Sequence, residues 1–462
     1  MTTIGLPHPN PTKAYWQTPP HPIADHRSTE SLPASAQYVI IGSGITGAAI
    51  AYKLLLEQPS ASIVMLEARQ AASGATGRNG GHCRARRYLS FKNDIKTFGE
   101  EDAVRMMDFE KSNVRHVGEF IQRNEIECDL RSVETVDIYT DEKQWDEALE
   151  ALKAIKEVVG EEEDEEEEGS FSDNSTKIHV KHKVWSQKET REELLIPDGV
   201  GAISFPAFVL SPYKFVCGIL ELAMKKGLNL QTNTPVVEVT PTSIFFSSAS
   251  GEQCPHQRQW VVSTKERGEI IADRVILATN AYTAALYPPL ARFIVPTRGQ
   301  VAAVRPGSKI AGNPVLKRSG GLNSAESGDY FQSRAKGFSG EGDIIIGGGR
   351  RMGSHGEQPV LDDSVIHPHI SDYLTRGVPA KYFGRENWGE DGEVLQEWTG
   401  IMGYTVDKQP IVGEAVGTGH EGLYICAGFN GHGTFFLSWY GAHVPVCGGF
   451  GADFDGQGGG GG

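Results

Sequence analysis

The sequence predicts an α/β fold in two parts: a βαβ layer near the N-terminus and a second, strand-rich α+β part. Three observations carry this expectation. A glycine turn, Gly42-Ser43-Gly44-Ile45-Thr46-Gly47, lies between the apolar run Tyr38 to Ile41 and a helical stretch, Ala48 to Leu56. A second apolar run, Ile63 to Leu66, ends in Glu67. From Ile294 to Gly348, strand signals such as 300–304 and 343–346 replace the earlier alternation of helix and strand patterns.

The first two observations together form a Rossmann-like nucleotide-binding unit. Gly42 permits the tight turn after the first strand, Gly44 lets the backbone approach a pyrophosphate, and Gly47 lets the helix pack close to the strand. The helix N-terminus, with Ile45 and Thr46, then presents N–H groups and a positive dipole end to phosphates. Glu67 stands 25 residues after Gly42, where a carboxylate accepts hydrogen bonds from ribose hydroxyls, with Ala68 and Arg69 beside it. A lone glycine motif is weak evidence, but here strand, helix and terminal acid agree.

A second glycine loop follows: Ala71-Ala72-Ser73-Gly74-Ala75-Thr76-Gly77-Arg78-Asn79-Gly80-Gly81-His82-Cys83-Arg84. Its exposed backbone suits a loop wrapping an extended ligand beyond the adenosine half. With this loop the chain resembles the D-amino-acid-oxidase-like FAD-dependent oxidoreductases, in particular their amine-oxidising branch, whose members include gamma-glutamylputrescine oxidase-like and sarcosine oxidase-like enzymes. The resemblance implies FAD as cofactor, with Thr76, Gly77, Arg78, Asn79, Gly80, Gly81 and His82 beside its pyrophosphate, ribityl chain and ring. It also implies that the strand ending Ala278-Thr279-Asn280 passes close to the dinucleotide, with Val236 and Gly403 as further contacts. The turn Gly428-Phe429-Asn430-Gly431-His432-Gly433-Thr434 is similar to the family's Gly-Phe-Ser-Gly-His-Gly signature, with Asn430 replacing serine. Gly431, His432, Gly433 and Thr434 are therefore expected at the pyrimidine end of the flavin. The family architecture places a mixed or antiparallel sheet at the centre of the second, substrate domain.

Two departures narrow the reading. Sarcosine-oxidase-like enzymes carry a lysine two residues after the glycine-histidine-glycine turn, whereas Phe435 and Phe436 stand here, which disfavours a small N-methyl amino acid. They also attach flavin through a cysteine near the segment that reads Thr399 to Met402, and none is present. FAD is expected to be non-covalent, with linkage through His82 as the alternative.

For the reaction, the resemblance implies hydride transfer from the carbon beside a substrate nitrogen to the flavin, giving an imine, with dioxygen as the final acceptor and hydrogen peroxide as product. This chemistry requires a neutral amine but no dedicated base. Arg298 and Arg350 are candidates for clamping a carboxylate bidentately, against the commoner fate of an ion pair. Tyr404 and Tyr330 are candidate pocket walls, against a purely core role. His432 is the candidate that influences reduced flavin, against satisfying a turn. A flavin dehydrogenase using another acceptor and an inactive flavoprotein-like module are the alternatives.

Composition bounds the rest. The 462 residues suffice for two cores, and 39% hydrophobic with 22% charged residues is ordinary. Six scattered cysteines without CxxC spacing imply free thiols and no metal site. No apolar run approaches the ~18 residues of a membrane span, no signal-peptide pattern opens the chain, and cytoplasm is the expected location. The net charge of −15 falls to −7 without the acidic block Glu161 to Glu168. No basic patch with interleaved aromatics indicates nucleic acid. The expected organisation is an extension at 1–36, a discontinuous FAD domain at 37–93, 198–290 and 394–440, and a substrate domain at 94–197 and 291–393. Within it 160–175 is expected to be a disordered acidic insertion, and 441–462 a disordered glycine-rich tail.

Overall fold

A computed structural model describes residues 4–160, 182–242, 259–310, 313–324, 328–389, 391–417 and 419–432. Gly433, Thr434, the glycine-rich tail and nearly all of the acidic insertion lie outside these residues.

Two sheets organise the chain. In the first, Ser35–Ile41 pairs in parallel with Ile63–Leu66 on one side and with Glu269–Leu277 on the other. Leu423–Ala427 extends the ladder beyond Glu269–Leu277, and Asn229–Gln231 extends it beyond Ile63–Leu66. Ile411–Glu414 closes one edge in antiparallel sense, and the hairpin of Val236–Pro241 with Trp260–Thr264 branches from Glu269–Leu277. The strands Ile63–Leu66 and Leu423–Ala427 are buried along their whole length, as a parallel layer covered on both faces requires.

Alternation along Ser35–Ile41 divides the two faces. Tyr38 and Ile40 join the cluster containing the helices Ile45–Glu57 and Pro212–Lys225. Val39 and Ile41 join the opposite cluster, with Trp260 and Val262. The first helix sits close because Gly47 faces the strand: a Cβ there would collide with the Gly42 carbonyl oxygen. The second starts as its sequence predicts, with Pro212 in the first turn and the Ser211 hydroxyl accepting from the Lys214 N–H.

The second sheet runs in the order Glu393–Thr405, Ile294–Arg305, Ile344–Gly348, Gly328–Ser333, Ser319–Asn323, Arg131–Tyr139, Gly201–Val209 and His82–Cys83, with Lys183–Trp185 also beside Gly201–Val209. It is mixed: Ser319–Asn323 lies parallel to Arg131–Tyr139, whereas the remaining pairs are antiparallel. Its helical cover includes Phe91–Phe98, Glu100–Arg123 and Glu142–Val159, the first two separated at Gly99. Just before Arg131–Tyr139, Asp129 turns the chain and receives Lys214 and Arg334.

The strand boundaries differ from the sequence expectation at two places. Gly201–Val209, within the expected FAD segment 198–290, pairs residue for residue with Arg131–Tyr139 of the second sheet. Glu393–Thr405, within the expected segment 394–440, is the long partner of Ile294–Arg305. Local apolar pattern does not distinguish these partners; the antiparallel registers do. Among the described residues no helix is long and apolar enough to cross a membrane, and no group of three or more His, Cys, Asp or Glu side chains is placed to hold a metal ion.

Candidate functional site

The C-terminal ends of the parallel strands open into a cavity of about 770 Å³ that the second sheet closes from the other side. A ligand crevice at this end is the general arrangement of open α/β sheets. Ile41 and Gly42, Leu66 and Glu67, and Ala278 to Tyr282 line it from the first sheet; Gly299 to Val301, Asp329, Tyr330, Gly348 and Gly400 to Met402 line it from the second.

At the glycine-turn end, backbone defines the wall. Gly42 adopts φ +105°, and a Cβ there would come within 2.6 Å of the Ala278 carbonyl oxygen, so a side chain would separate two neighbouring strands. Gly44, Ile45 and Thr46 line the cavity at the helix N-terminus, where the Thr76 hydroxyl accepts from the Ile45 N–H at 3.0 Å. Glu67 is held in place before any ligand arrives: Oε2 accepts from the Ser43 N–H and hydroxyl at 2.9 and 2.7 Å, and Oε1 from the Arg69 N–H at 3.0 Å.

The second glycine loop is pinned to both sheets. Arg78 donates to the Ser73 carbonyl at 2.8 Å and to the Thr399 carbonyl at 2.8 Å. Burial, then the nearby Arg69, lowers its pKa to about 10, so it stays a cation at neutral pH. Asn79 braces the loop from within, donating to Thr76 and accepting from Gly81. The Tyr282 hydroxyl, buried on the cavity wall, has no hydrogen-bond partner among the described residues. An orphaned buried hydroxyl beside Arg69, Arg78 and Glu67 is a polar group waiting for ligand.

The other end is built of side chains. The Tyr330 ring lies against Gly80 and Gly347, where added side chains would collide with it. His82 meets the same ring edge-on, with centroids 5.5 Å apart. Its Nε2 pairs with the Phe331 carbonyl at 3.1 Å, while burial and then Arg84 push its pKa down to about 3. His82 is therefore neutral, and the bond assigns the proton to Nε2. The Arg350 guanidinium stands 4.9 Å from the centre of the Tyr404 ring, a cation–π geometry. A preceding turn aims it: Asp329 accepts from the Gly349 N–H at 2.8 Å and from the Tyr373 hydroxyl at 2.7 Å. His432 lines this end, its Nδ1 2.9 Å from the Asn430 carbonyl.

The cavity brings together most of the residues expected from sequence: Gly42, Gly44, Ile45, Thr46, Glu67, Ala68, Arg69, Thr76, Arg78, Asn79, Gly80, His82, Val236, Ala278, Thr279, Asn280, Gly431 and His432, with Tyr330, Arg350 and Tyr404. Gly47, Gly77, Gly81 and Gly403 stand behind its wall, where close packing and not ligand contact explains them. Arg298 is a correction: it is absent from the lining, and its guanidinium is taken by Glu357 at 2.5 Å and the Asp362 carbonyl at 3.1 Å. Its side chain is held by the 357–362 segment, while Gly299, Gln300 and Val301 of the same strand line the cavity. Asn430, in place of the expected serine, serves the turn: its Oδ1 accepts from the Thr405 N–H at 2.9 Å.

Sequence reasoning missed Arg84 and Arg86. Both line the cavity and share Asp137, at 2.8 and 3.4 Å. Burial raises the pKa of Asp137, but Arg84, Arg86 and the Tyr88 hydroxyl outweigh it and bring the value to about 2. The run of arginines directly after the second glycine loop was the available signal; its partner, on another strand, was not visible.

Comparison with known proteins agrees with this geometry. The family described as FAD dependent oxidoreductase (DAO) matches residues 37–444. Probable oxidoreductase OrdL of Rhizobium meliloti (strain 1021) is 23% identical over 446 residues, covering 92% of this chain and 88% of the relative. Among solved structures, glycine oxidase from Geobacillus kaustophilus aligns with a TM-score of 0.64 at 20% identity, covering 89% of this chain and 93% of its own. L-amino acid deaminase from Proteus myxofaciens, in complex with anthranilate, aligns with a TM-score of 0.65 at 15% identity and covers 95% of each chain. At these identities the structures attest the fold, and the family match over most of the length attests the cofactor class. The chain belongs to the DAO family of FAD-dependent oxidoreductases.

Proposed function

We propose that this enzyme oxidises the C–N bond of an amine that carries a carboxylate, an amino acid or a close relative, to an imine that water hydrolyses. The single observation that carries this reading is the end of the cavity where Arg350 lies over Tyr404, next to Tyr330, in continuity with the glycine-built end.

FAD, when bound, supplies the hydride acceptor, and dioxygen is the expected final acceptor, leaving as hydrogen peroxide. The protein's residues have the other tasks. Gly44, Thr46, Arg78 and Tyr282 surround the pyrophosphate end, and Glu67 receives ribose hydroxyls. Arg350 pairs with the substrate carboxylate, and Tyr404 beneath it restricts where the guanidinium can stand. Tyr330 and Met402 wall off water. The substrate carbon loses its hydrogen with the bonding electrons while the nitrogen lone pair forms the C=N bond, so the nitrogen must arrive unprotonated. A second positive centre at Arg84 and Arg86 favours this, because cations nearby disfavour an ammonium. The names of the structural neighbours, an amino acid deaminase and a glycine oxidase, support the same substrate class.

The test is a panel of amino acids and amines without a carboxylate offered to purified holoenzyme in air, with peroxide measured. The reading expects peroxide from carboxylate-bearing amines. Turnover that requires an artificial acceptor and yields no peroxide would assign a dehydrogenase; turnover of amines without a carboxylate alone would remove Arg350 from its role.

A further inference from the structure

The family match begins at residue 37, yet the segment before it touches the cofactor cavity. We propose that residues 6–16 form a clasp that sets how tightly and how long FAD is held, with Thr12 and Trp16 as its positioning residues. The proposal rests on FAD occupying the cavity and goes beyond the reading of the reaction.

Three sets of contacts carry it. Leu6 and Pro7 line the cavity beside Glu67, Ala68 and Arg69, the nucleotide end. The next residue, His8, accepts from Arg69 through its carbonyl at 3.1 Å, and the same guanidinium is paired with buried Asp363 at 2.9 Å.

Thr12 then ties three separate parts of the chain at one point. Its N–H donates to the Asp363 carbonyl at 2.7 Å, and its hydroxyl donates to the same oxygen at 3.0 Å. That hydroxyl also accepts from the Thr399 N–H at 2.9 Å and from Arg78 at 3.2 Å. One hydroxyl thus joins the second glycine loop to the second sheet and to the 363 segment.

Trp16 completes the hold. Its indole N–H donates to the Asn79 carbonyl at 2.7 Å, inside the glycine loop, and the ring is 6% exposed. Tyr15 stacks on Trp398, which donates its own indole N–H to the Arg78 carbonyl at 2.8 Å. Both carbonyls of Arg78 and Asn79 are therefore anchored by indoles from outside the loop.

Residues 6–16 belong to neither sheet. Their displacement breaks contacts, including those of Ala14 and Trp16 with the core, and leaves the ladders of both sheets intact, so the segment can regulate ligand exchange without loss of either sheet. Its contacts converge on the loop and arginines that surround the phosphate end, so loosening them acts on the dissociation rate of the dinucleotide.

The experiment compares holoenzyme carrying Thr12→Val or Trp16→Phe with wild type, following FAD release by the recovery of free-flavin fluorescence and FAD affinity by titration of the apoprotein. Thr12→Val is near-isosteric, Trp16→Phe also removes ring volume that the Trp185→Phe control matches, and both remove hydrogen bonds to the loop, so release is expected to accelerate roughly tenfold. Trp185→Phe is the control: Trp185 donates its indole N–H to the Ser204 hydroxyl at 2.8 Å and does not line the cavity. The clasp requires fast release in the first two variants and wild-type release in the control. Wild-type release from both Thr12→Val and Trp16→Phe, or equal acceleration in all three, overturns it. Should Thr12→Val fail to fold, Trp16→Phe decides alone. A wild-type protein that takes up no FAD overturns the cofactor assignment as well, a result distinct from unchanged release.

Discussion

The two ends of the cavity are built from different materials. At the nucleotide end the wall is backbone: Gly42 and Gly44 leave room for a ligand, and Glu67 is oriented by three local hydrogen bonds. At the substrate end the wall is side chains brought together from distant segments: Arg84 and Arg86 with Asp137, Tyr330, Arg350, Tyr404 and His432. Under the proposed function the first end recognises what all dinucleotides share, and the second distinguishes one small molecule from another.

Substitutions should separate along the same line. The largest effect is expected from Asp137→Asn, which leaves Arg84 and Arg86 buried without their counter-charge, costing about 3–5 kcal/mol of stability; a denaturant midpoint measures it. The same carboxylate gives a pH signature. Its pKa is about 2 in the folded protein and ~3.9 unfolded. A depressed folded pKa means its contribution is fully present above about pH 4 and is lost as pH falls toward 2. Acid denaturation of the wild type should be steeper in this window than that of Asp137→Asn, and identical slopes would show that the ion pairs contribute nothing.

Gly47→Val comes next. Its side chain would meet the Gly42 carbonyl, so the helix must shift, at a cost of about 1–3 kcal/mol. FAD affinity should fall with stability, both read from one thermal scan with and without added FAD. Arg350→Gln should act at the other end alone: KM for a carboxylate-bearing amine is expected to rise by a factor on the order of 10–100, the worth of a charge-assisted hydrogen bond, with FAD affinity unchanged. The smallest effect is expected from Glu67→Gln, roughly a tenfold weaker hold on FAD with unchanged KM in the reconstituted enzyme. If Arg350→Gln loosened FAD, or Glu67→Gln altered KM, the two ends would not be independent.

The same difference explains what was legible in the sequence. Gly42, Gly44, Gly47 and Glu67 could be read because a tight turn, a close backbone approach and a strand-end acid each constrain the residue type locally. The second glycine loop was readable for the same reason. Arg298 and Arg350 looked alike as sequence, both arginines near glycine. Only the fold sends one to Glu357 and the other into the cavity, through a carboxylate from a distant segment in the first case and the turn anchored by Asp329 in the second. Arg84 and Arg86 were overlooked because their partner Asp137 lies on another strand, more than 50 residues later. That Gly201–Val209 pairs into the second sheet could not be read, because an apolar strand pattern carries no record of which sheet it joins.

The central claim is that this cavity transfers a hydride from a carboxylate-bearing amine to FAD, with Arg350 selecting the carboxylate. Anaerobic mixing of the FAD-loaded enzyme with amino acids, and with the corresponding decarboxylated amines, tests it directly by the bleaching of the flavin band. The account predicts rapid bleaching by an amino acid, slow or no bleaching by its decarboxylated counterpart, and loss of that preference in Arg350→Gln. A flavin that stays oxidised with every amine but bleaches with NADH or NADPH would contradict it.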